Sequence, residues 1–363
     1  MQKYYFFLKY ASTICINAKK AVILPTKYDW STMTNKELYS RFCSLTLDLP
    51  IFMQGWWMDA VCAGKQWDVL LCVKVGNEYR LLKNEDGEYE IVAVMPYLSR
   101  KRAWARYVVM PQMTQIGGIW LREDIRSDVD AQHSICRCFK QQLDAMQLSY
   151  YYQHFPLNSS LPVYMADMGF KLKRRVTYRI EDLSDLDAVI SRFSKNKKRQ
   201  LQKALSLHVD YNMHIEDFYR FHMDCLREQG KDISYTREFL LVMERKTSRL
   251  NQSQVISICN ADNQVLAAAF LVWDNHSMYY LIPCYRMQYK DSGASALLVL
   301  EAIKLARQKG VAFDFEGSMI KGVASHYKQF GSTPVPYYSV EKYYHWWFWF
   351  AIAYNRLRER KMR

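Results

Sequence analysis

The feature that most restricts how this chain can fold is an order of elements that occurs twice. In the first copy the strand-like runs WDVLLCVKV, EYRLL and YEIVAVMPYL are joined by turns at Gly76-Asn77 and Asn84-Glu85-Asp86-Gly87. RYVVMPQMTQIGGIWL follows, then a long helix near 128–147, the strand SYYYQ, a helix ending in MADMGF and the strand KLKRRVTYRI. In the second copy QVISICN, QVLAAAFLVW and MYYLIPCY lead into a helix near 292–309. VAFDF, a helix ending in HYKQFG and the strand TPVPYYSVEK complete it. Short turns rich in Gly, Asn and Asp join antiparallel neighbours, so each copy opens on a meander. Gly310 stands where a left-handed residue ends a helix. Helical material precedes both meanders: NKELYSRFCSLTL and QGWWMDAVCAG in the first, and 195–207, 214–229 and 235–249 in the second.

A meander continued through helix–strand–helix–strand gives a mixed sheet with helices on both faces. The expected fold class is therefore α/β (α+β), built as two similar domains, and 363 residues suffice for two. The expected divisions are an N-terminal extension 1–34, a first domain 35–181, a second domain 182–342 and an aromatic, basic C-terminal helix 343–363.

A net charge of +14 suits an anionic partner: a phosphate-bearing small molecule, tRNA or an anionic membrane surface. The nine cysteines are scattered and odd in number, and several lie in apolar runs, which points to a reducing, cytoplasmic setting. Cys136-Arg137-Cys138 is the one close pair, with no second pair or His at zinc spacing, so no metal is expected. No run reaches the roughly 18 apolar residues of a membrane span. Residues 1–25 lack a clean signal-peptide core and stand open as an extra strand or the product of an upstream start codon. In YYHWWFWFAIAYNRLRERKMR an aromatic run meets Arg356, Arg358, Arg360, Lys361 and Arg363. Two readings stand side by side: a helix packed on the second domain, or a peripheral contact with an anionic membrane.

Several residue groups point to chemistry. The helix 195–207 places Leu201, Ala204 and Leu205 on one face and Arg199 and Lys203 on the other, with Lys195, Lys197 and Lys198 at its start. Such a start opposes the helix dipole; a surface for tRNA or a diphosphate and an ordinary solvated helix face are its two readings. The nearly apolar helix near 292–309 reads as core, and the free N–H groups of Ser292, Gly293, Ala294 and Ser295 at its start could cradle an anion. Asp314 and Glu316 alternate with Phe313 and Phe315 at the end of a buried strand, so strand period sets both carboxylates on one side. Glu316 is the candidate base for stripping a proton from an amine; a helix cap or a partner for Lys321 is its structural alternative. Trp56, Trp57, Gln112, Thr114 and Gln115, with Tyr285, Asp314 and Ser318, are the candidates for an acceptor cleft, against the alternative that the tryptophans are core.

Three segments carry a family likeness: SRFSKNKKRQLQKALSLHVDY, FDFEGSMIKGVASHYKQFGSTPVPY, and LPIFMQGWWMDAV together with VMPQMTQIGGIWL. They resemble the FemAB family, whose members carry two GNAT-type folds in tandem, and the match covers about 35–342. The resemblance implies transfer of an aminoacyl or acetyl group to an amine by direct attack in a cleft between the domains. The donor would be aminoacyl-tRNA or acyl-CoA, and the acceptor a cell-wall precursor or a glycan-type molecule. It also implies that Lys328 steadies the oxyanion of the attacked carbonyl, with an ordinary surface lysine as the alternative. The chain departs from the GNAT pattern at the pyrophosphate loop, Arg286-Met287-Gln288-Tyr289-Lys290-Asp291-Ser292-Gly293-Ala294. Arg286 and Lys290 remain as donor contacts, one Gly of the loop survives, and Asp291 reads as an N-cap that would oppose a phosphate. A catalytically inactive GNAT-like protein that binds an anionic glycan, nucleotide or RNA is the rival reading.

Overall fold

The structure, a computed structural model, describes residues 33–62, 67–82, 90–317 and 319–350. The expectations for residues 1–32, for Ser318 and for the tail after 350 lie outside the described residues.

In chain order the first half contains α1 (Asn35–Leu45), α2 (Gly55–Cys62), β1 (Trp67–Val75), β2 (Glu78–Leu81), β3 (Glu90–Arg102), β4 (Ala105–Val109) and β5 (Trp120–Leu121). It continues with α3 (Val129–Ala145), β6 (Tyr150–His154), α4 (Leu161–Asp167) and β7 (Lys171–Ile180). The second half contains α5 (Leu186–Ser191), α6 (Lys195–Lys203), β8 (His208–Asp210), α7 (Ile215–Glu228), α8 (Arg237–Arg249), β9 (Ser253–Cys259), β10 (Val265–Trp273) and β11 (Ser277–Tyr285). It ends with α9 (Ala294–Lys309), β12 (Ala312–Asp314), α10 (Lys321–Lys328) and β13 (Thr333–Tyr343).

Sequence-local chemistry sets several helix ends. Thr34 and Glu37 form a reciprocal capping box at α1, and Asp128, Ser194 and Thr236 cap α3, α6 and α8 by accepting from backbone N–H groups. Gly310 ends α9 in the left-handed region, as the sequence implies.

All the strands form one sheet, ordered β2-β1-β3-β4-β6-β13-β7-β12-β11-β10-β9-β8, with β5 paired to β3. The order is a palindrome about the β13–β7 pair. Outward from β13 run β6, β4, β3 and β1, joined antiparallel, parallel, antiparallel and antiparallel. Outward from β7 run β12, β11, β10 and β9, joined in the same sequence of senses. The halves are therefore alike in topology, and they interlock. The last strand of each half lies inside the sheet of the other, β13 between β6 and β7, and β7 between β13 and β12.

One expected meander is corrected. β2 does not lie between β1 and β3; it is a four-residue edge strand hairpinned onto β1, while the thirteen-residue β3 pairs directly with β1. Burial decides the order, because most of β3 is buried and no residue of β2 is.

Two cores flank the second-half strands. On one face α1 and α2 meet α7 and α8 in a shared cluster that includes Tyr39, Phe52, Trp57, Phe218, Phe270 and Leu240. This cluster ties the halves together, with Phe52 of the first half 4.6 Å from the ring of Tyr279. On the other face α9 buries Ala296, Leu298, Val299 and Ile303 against Ile256, Ala267 and Phe313.

Candidate functional site

Between the halves lies a cavity of about 470 Å³ with walls from both. Ile116, Trp120 and Leu121 supply apolar wall. Asp48, Arg126, Arg179, Glu181, Asp274 and His276 supply charge and polarity. Asp274 is already saturated: its carboxylate accepts from the N–H of Ile51, His276 and Ser277 and from the Tyr279 hydroxyl. It is a clasp between the halves. Arg126 pairs with Asp48 at 3.1 Å.

Arg179 links this cavity to the buried carboxylates. Its Nε donates to Glu181 at 2.6 Å, and its Nη1 donates to Asp314 Oδ2 and to the Ser277 hydroxyl, both at 2.9 Å. Asp314 is fully buried and also accepts from the Thr177 hydroxyl and from the Glu316 N–H at 2.7 Å. Gln115 donates to the Thr177 hydroxyl at 3.1 Å. Burial raises the Asp314 carboxyl above the usual range, against the pull of Arg179.

Glu316 departs from simple strand period. β12 ends at Asp314, and Glu316 adopts φ 61°. Left-handed backbone is unusual for a residue with a Cβ and marks a constrained position. Gly317 follows with φ 65° because a Cβ there would lie 2.3 Å from the Val176 carbonyl oxygen. The Glu316 residue keeps part of its surface, yet its Oε1 is shut off from solvent and has no hydrogen-bond partner. Burial first, and then the Asp314 charge, push its carboxyl well above the carboxylate range. It neither caps α10 nor forms an ion pair with Lys321.

Lys328 does not join it in one cavity. The ammonium is exposed, 5.9 Å from the Tyr178 ring, on a hollow of about 380 Å³ walled by Val176, Tyr178, Met319, Lys321, Ala324 and Ser325. Glu316 is not part of that wall. The helix α10 turns Lys328 outward because Tyr327 and Phe330 take the inward positions against Phe315.

The donor candidates are dispersed or engaged. Arg286 is held by Glu228 at 2.6 Å, and Glu228 also accepts from the Met287 N–H at 3.1 Å, so a carboxylate occupies a basic, amide-lined place suited to an anion. Lys290 is exposed, Tyr285 is 37 % exposed at the end of β11, and Ser295 is half-buried. Asp291 is not the cap of α9; Gly293 is, at φ 88°. The Ala294 N–H bonds the Ser292 hydroxyl at 3.2 Å. A Cβ at Gly293 would lie 2.1 Å from the Gln200 carbonyl oxygen, so α6 closes the space over this helix start. We expect Gly293→Ala to cost roughly 2–4 kcal/mol from the left-handed φ and the overlap together. A melting temperature equal to wild type would show that α6 yields.

Arg199 and Lys203 are exposed on α6, as helical period implies, but two neighbours behave otherwise. The helix ends at Lys203 in a 3-10 turn, which leaves Leu205 79 % exposed instead of on the packed face. Lys197 is buried; its Nζ donates to Gln200 at 3.0 Å, lies 3.4 Å from His326 Nδ1 and sits over the Phe330 ring. Burial lowers its pKa to about 8, and the same burial with Lys197 nearby lowers that of His326 to about 4.

Of the acceptor candidates, Trp57 is core. It is fully buried, and its indole N–H donates to Thr114, whose hydroxyl donates to the Gln112 carbonyl. The Gln112 side chain donates to the Ser234 carbonyl. This chain of bonds fastens the loop after β4 to the second half. Trp56 is half-buried, edge-on to Trp57 at 5.9 Å. Gln115 belongs to the Asp314 network.

Sequence reasoning missed the cavity residues Asp48, Arg126, Arg179, Glu181, Asp274 and His276. It also missed a second group. The Arg175 guanidinium donates to the Tyr152 and Tyr337 hydroxyls at 3.3 and 3.2 Å, and the Tyr152 hydroxyl meets His154 Nε2 at 2.9 Å. Burial and the Arg175 charge lower the His154 pKa to about 4. Strand period sets Arg175, Thr177 and Arg179 on one face, but their partners lie in other elements and leave no local signal.

Residues 170–329 match the family described as acetyltransferase (GNAT) domain. No curated protein matches the chain. Among solved structures, FemX is similar with a TM-score of 0.59 at 11 % identity, over 84 % of this chain and 96 % of that one. A tandem GNAT protein from the clavulanic acid biosynthesis pathway is similar with a TM-score of 0.47 at 9 % identity, over 85 % and 93 %. L-PGS from Bacillus licheniformis is similar with a TM-score of 0.47 at 13 % identity, over 73 % and 86 %.

Proposed function

We propose that the chain is a FemAB-like, tandem GNAT-fold N-acyltransferase that transfers an aminoacyl group to an amine held in the cavity between its halves. The observation that carries the choice of donor is the filled place beyond β11. Glu228 takes the Arg286 guanidinium and the Met287 N–H, and α6 covers Gly293. A diphosphate would have to displace a paired carboxylate and move a backbone. An aminoacyl ester on RNA does not need that cradle, and the basic face with Arg199 and Lys203 suits its phosphates. Acetyl-CoA is the second donor in this reading.

The acceptor's amine attacks the donor carbonyl, a new C–N bond forms, and the ester oxygen leaves with the proton that the amine gives up. We assign Glu316 to take that proton from the amine and to pass it to the leaving oxygen. Glu316 is not part of the cavity wall; Asp314, two residues before it, pairs in register with Arg179 of that wall. A raised carboxyl pKa suits a base working near neutrality. The acceptor class that fits walls of mixed charge and aromatic surface is a peptide-bearing cell-wall precursor or an amino-glycan.

Donor choice is tested by retention of labelled aminoacyl-tRNA and labelled acetyl-CoA on the purified full chain. Retention of the aminoacyl-tRNA, lost with Arg199→Glu/Lys203→Glu, is the expected result. Saturable retention of acetyl-CoA alone overturns the assignment.

A further inference from the structure

We propose that the C-terminal aromatic segment and the β3–β4 hairpin form one docking surface for an anionic lipid bilayer. The helical segment 346–350 does not pack on the second half, as one reading of the sequence had it. It lies on β4 and β6: Phe348 is buried 5.5 Å from Tyr107 and 5.6 Å from Tyr150, and Trp347 rests 4.0 Å from Trp104 of the hairpin.

The outward face is also aromatic. Trp346 is 77 % exposed, Trp349 51 % and Phe350 57 %, at the i, i+3, i+4 spacing of one helical face. Trp104 adds a ring that is 70 % exposed. Four large exposed rings on adjoining elements are far from the scattered single apolar residues of an ordinary surface. Indole rings are the side chains that settle at the headgroup level of a bilayer.

Charge chooses the occupant. Lys101, Arg102 and Arg106 are exposed beside Trp104 in the hairpin. Glu341, which accepts from the Tyr150 hydroxyl at 3.2 Å, is the one nearby carboxylate on β13. In a two-fold dimer the same patch meets itself, and these cations would repel their copies. An anionic leaflet complements them, with an aromatic face to enter the interface and a basic rim to hold it. No helix among the described residues is long and apolar enough to cross a membrane.

The test is sedimentation of the full chain with phosphatidylcholine vesicles, with and without phosphatidylglycerol, at low and high salt. The expected result is retention by the anionic vesicles at low salt, release at high salt, and a loss of about tenfold or more in partitioning for Trp346→Ser/Trp349→Ser/Phe350→Ser. That variant should melt with the wild type, because the substituted rings point outward. Failure of the anionic vesicles to retain the wild type overturns the proposal. So does retention unchanged in the variant, and so does a wild-type dimer that the variant abolishes while vesicle binding is absent. None of these outcomes bears on whether the chain transfers an acyl group.

Discussion

Glu316→Gln should lower acyl transfer by about 10²–10⁴ while leaving the protein folded and more stable at neutral pH. The amide keeps the shape of the carboxyl but cannot take a proton, and general base catalysis accounts for losses of about that size. The stability change follows from linkage. Burial and Asp314 raise the folded pKa of Glu316 above its unfolded value near 4.3. A carboxyl with a raised folded pKa costs nothing below its unfolded value, because both states are protonated. The cost grows as pH rises from there towards the folded value, and then levels off. The substituted amide never ionises, so melting curves of the two proteins should coincide below about pH 4 and separate as pH rises. Activity of the wild type should fall as pH drops through the raised pKa. Full turnover in the variant, or a separation that widens at acid pH, would remove Glu316 as the base.

The largest expected loss of stability is at Arg179. Asp314 has no access to solvent, and Arg179 is its only cationic partner among the described residues. Arg179→Met leaves that carboxylate buried with Thr177, Gln115 and the Glu316 N–H as its remaining neighbours. Breaking a buried pair from one side costs about 3–5 kcal/mol. Without the guanidinium the Asp314 pKa should rise further, so the deficit is greatest at neutral pH and shrinks as pH falls towards the unfolded value near 3.9. Asp314→Asn in the same chain should recover much of the loss, because the amide still bonds its neighbours and carries no charge. Urea titrations of the two single variants and the double variant measure the coupling. A double variant less stable than Arg179→Met would show that the carboxylate has a role beyond pairing.

Much of the architecture is written locally, and that part was legible. The period of apolar residues located α3, α7, α8 and α9, Gly310 marked the end of α9, and turn residues separated β9, β10 and β11. Strand order was not. Whether β3 sits beside β1 or β2 depends on which pairing buries more, and the exchange of β7 and β13 joins residues over 150 positions apart. Site residues divide the same way. Asp314 and Glu316 stood out because carboxylates in a run of Phe demand an explanation. Asp48, Arg126, Glu181 and His276 did not, since each is an ordinary surface residue until the halves meet. Lys197 reads as one of three solvated lysines, and only the approach of α10, with His326 and Phe330, buries it.

The exchanged strands also dictate when the protein can become itself. β7 is finished once residue 180 has been made, yet its register partner over nine positions is β13, which ends at Tyr343. Until residues 312–343 have been made, β7 has neither of its neighbours, β12 or β13, and β6 lacks β13 on one side. Open edges of this kind invite pairing with strangers. The basic residues of β7, Lys171, Lys173, Arg174 and Arg175, then guard an edge that must wait for its partner during synthesis, since charge on an unpaired strand deters a foreign one.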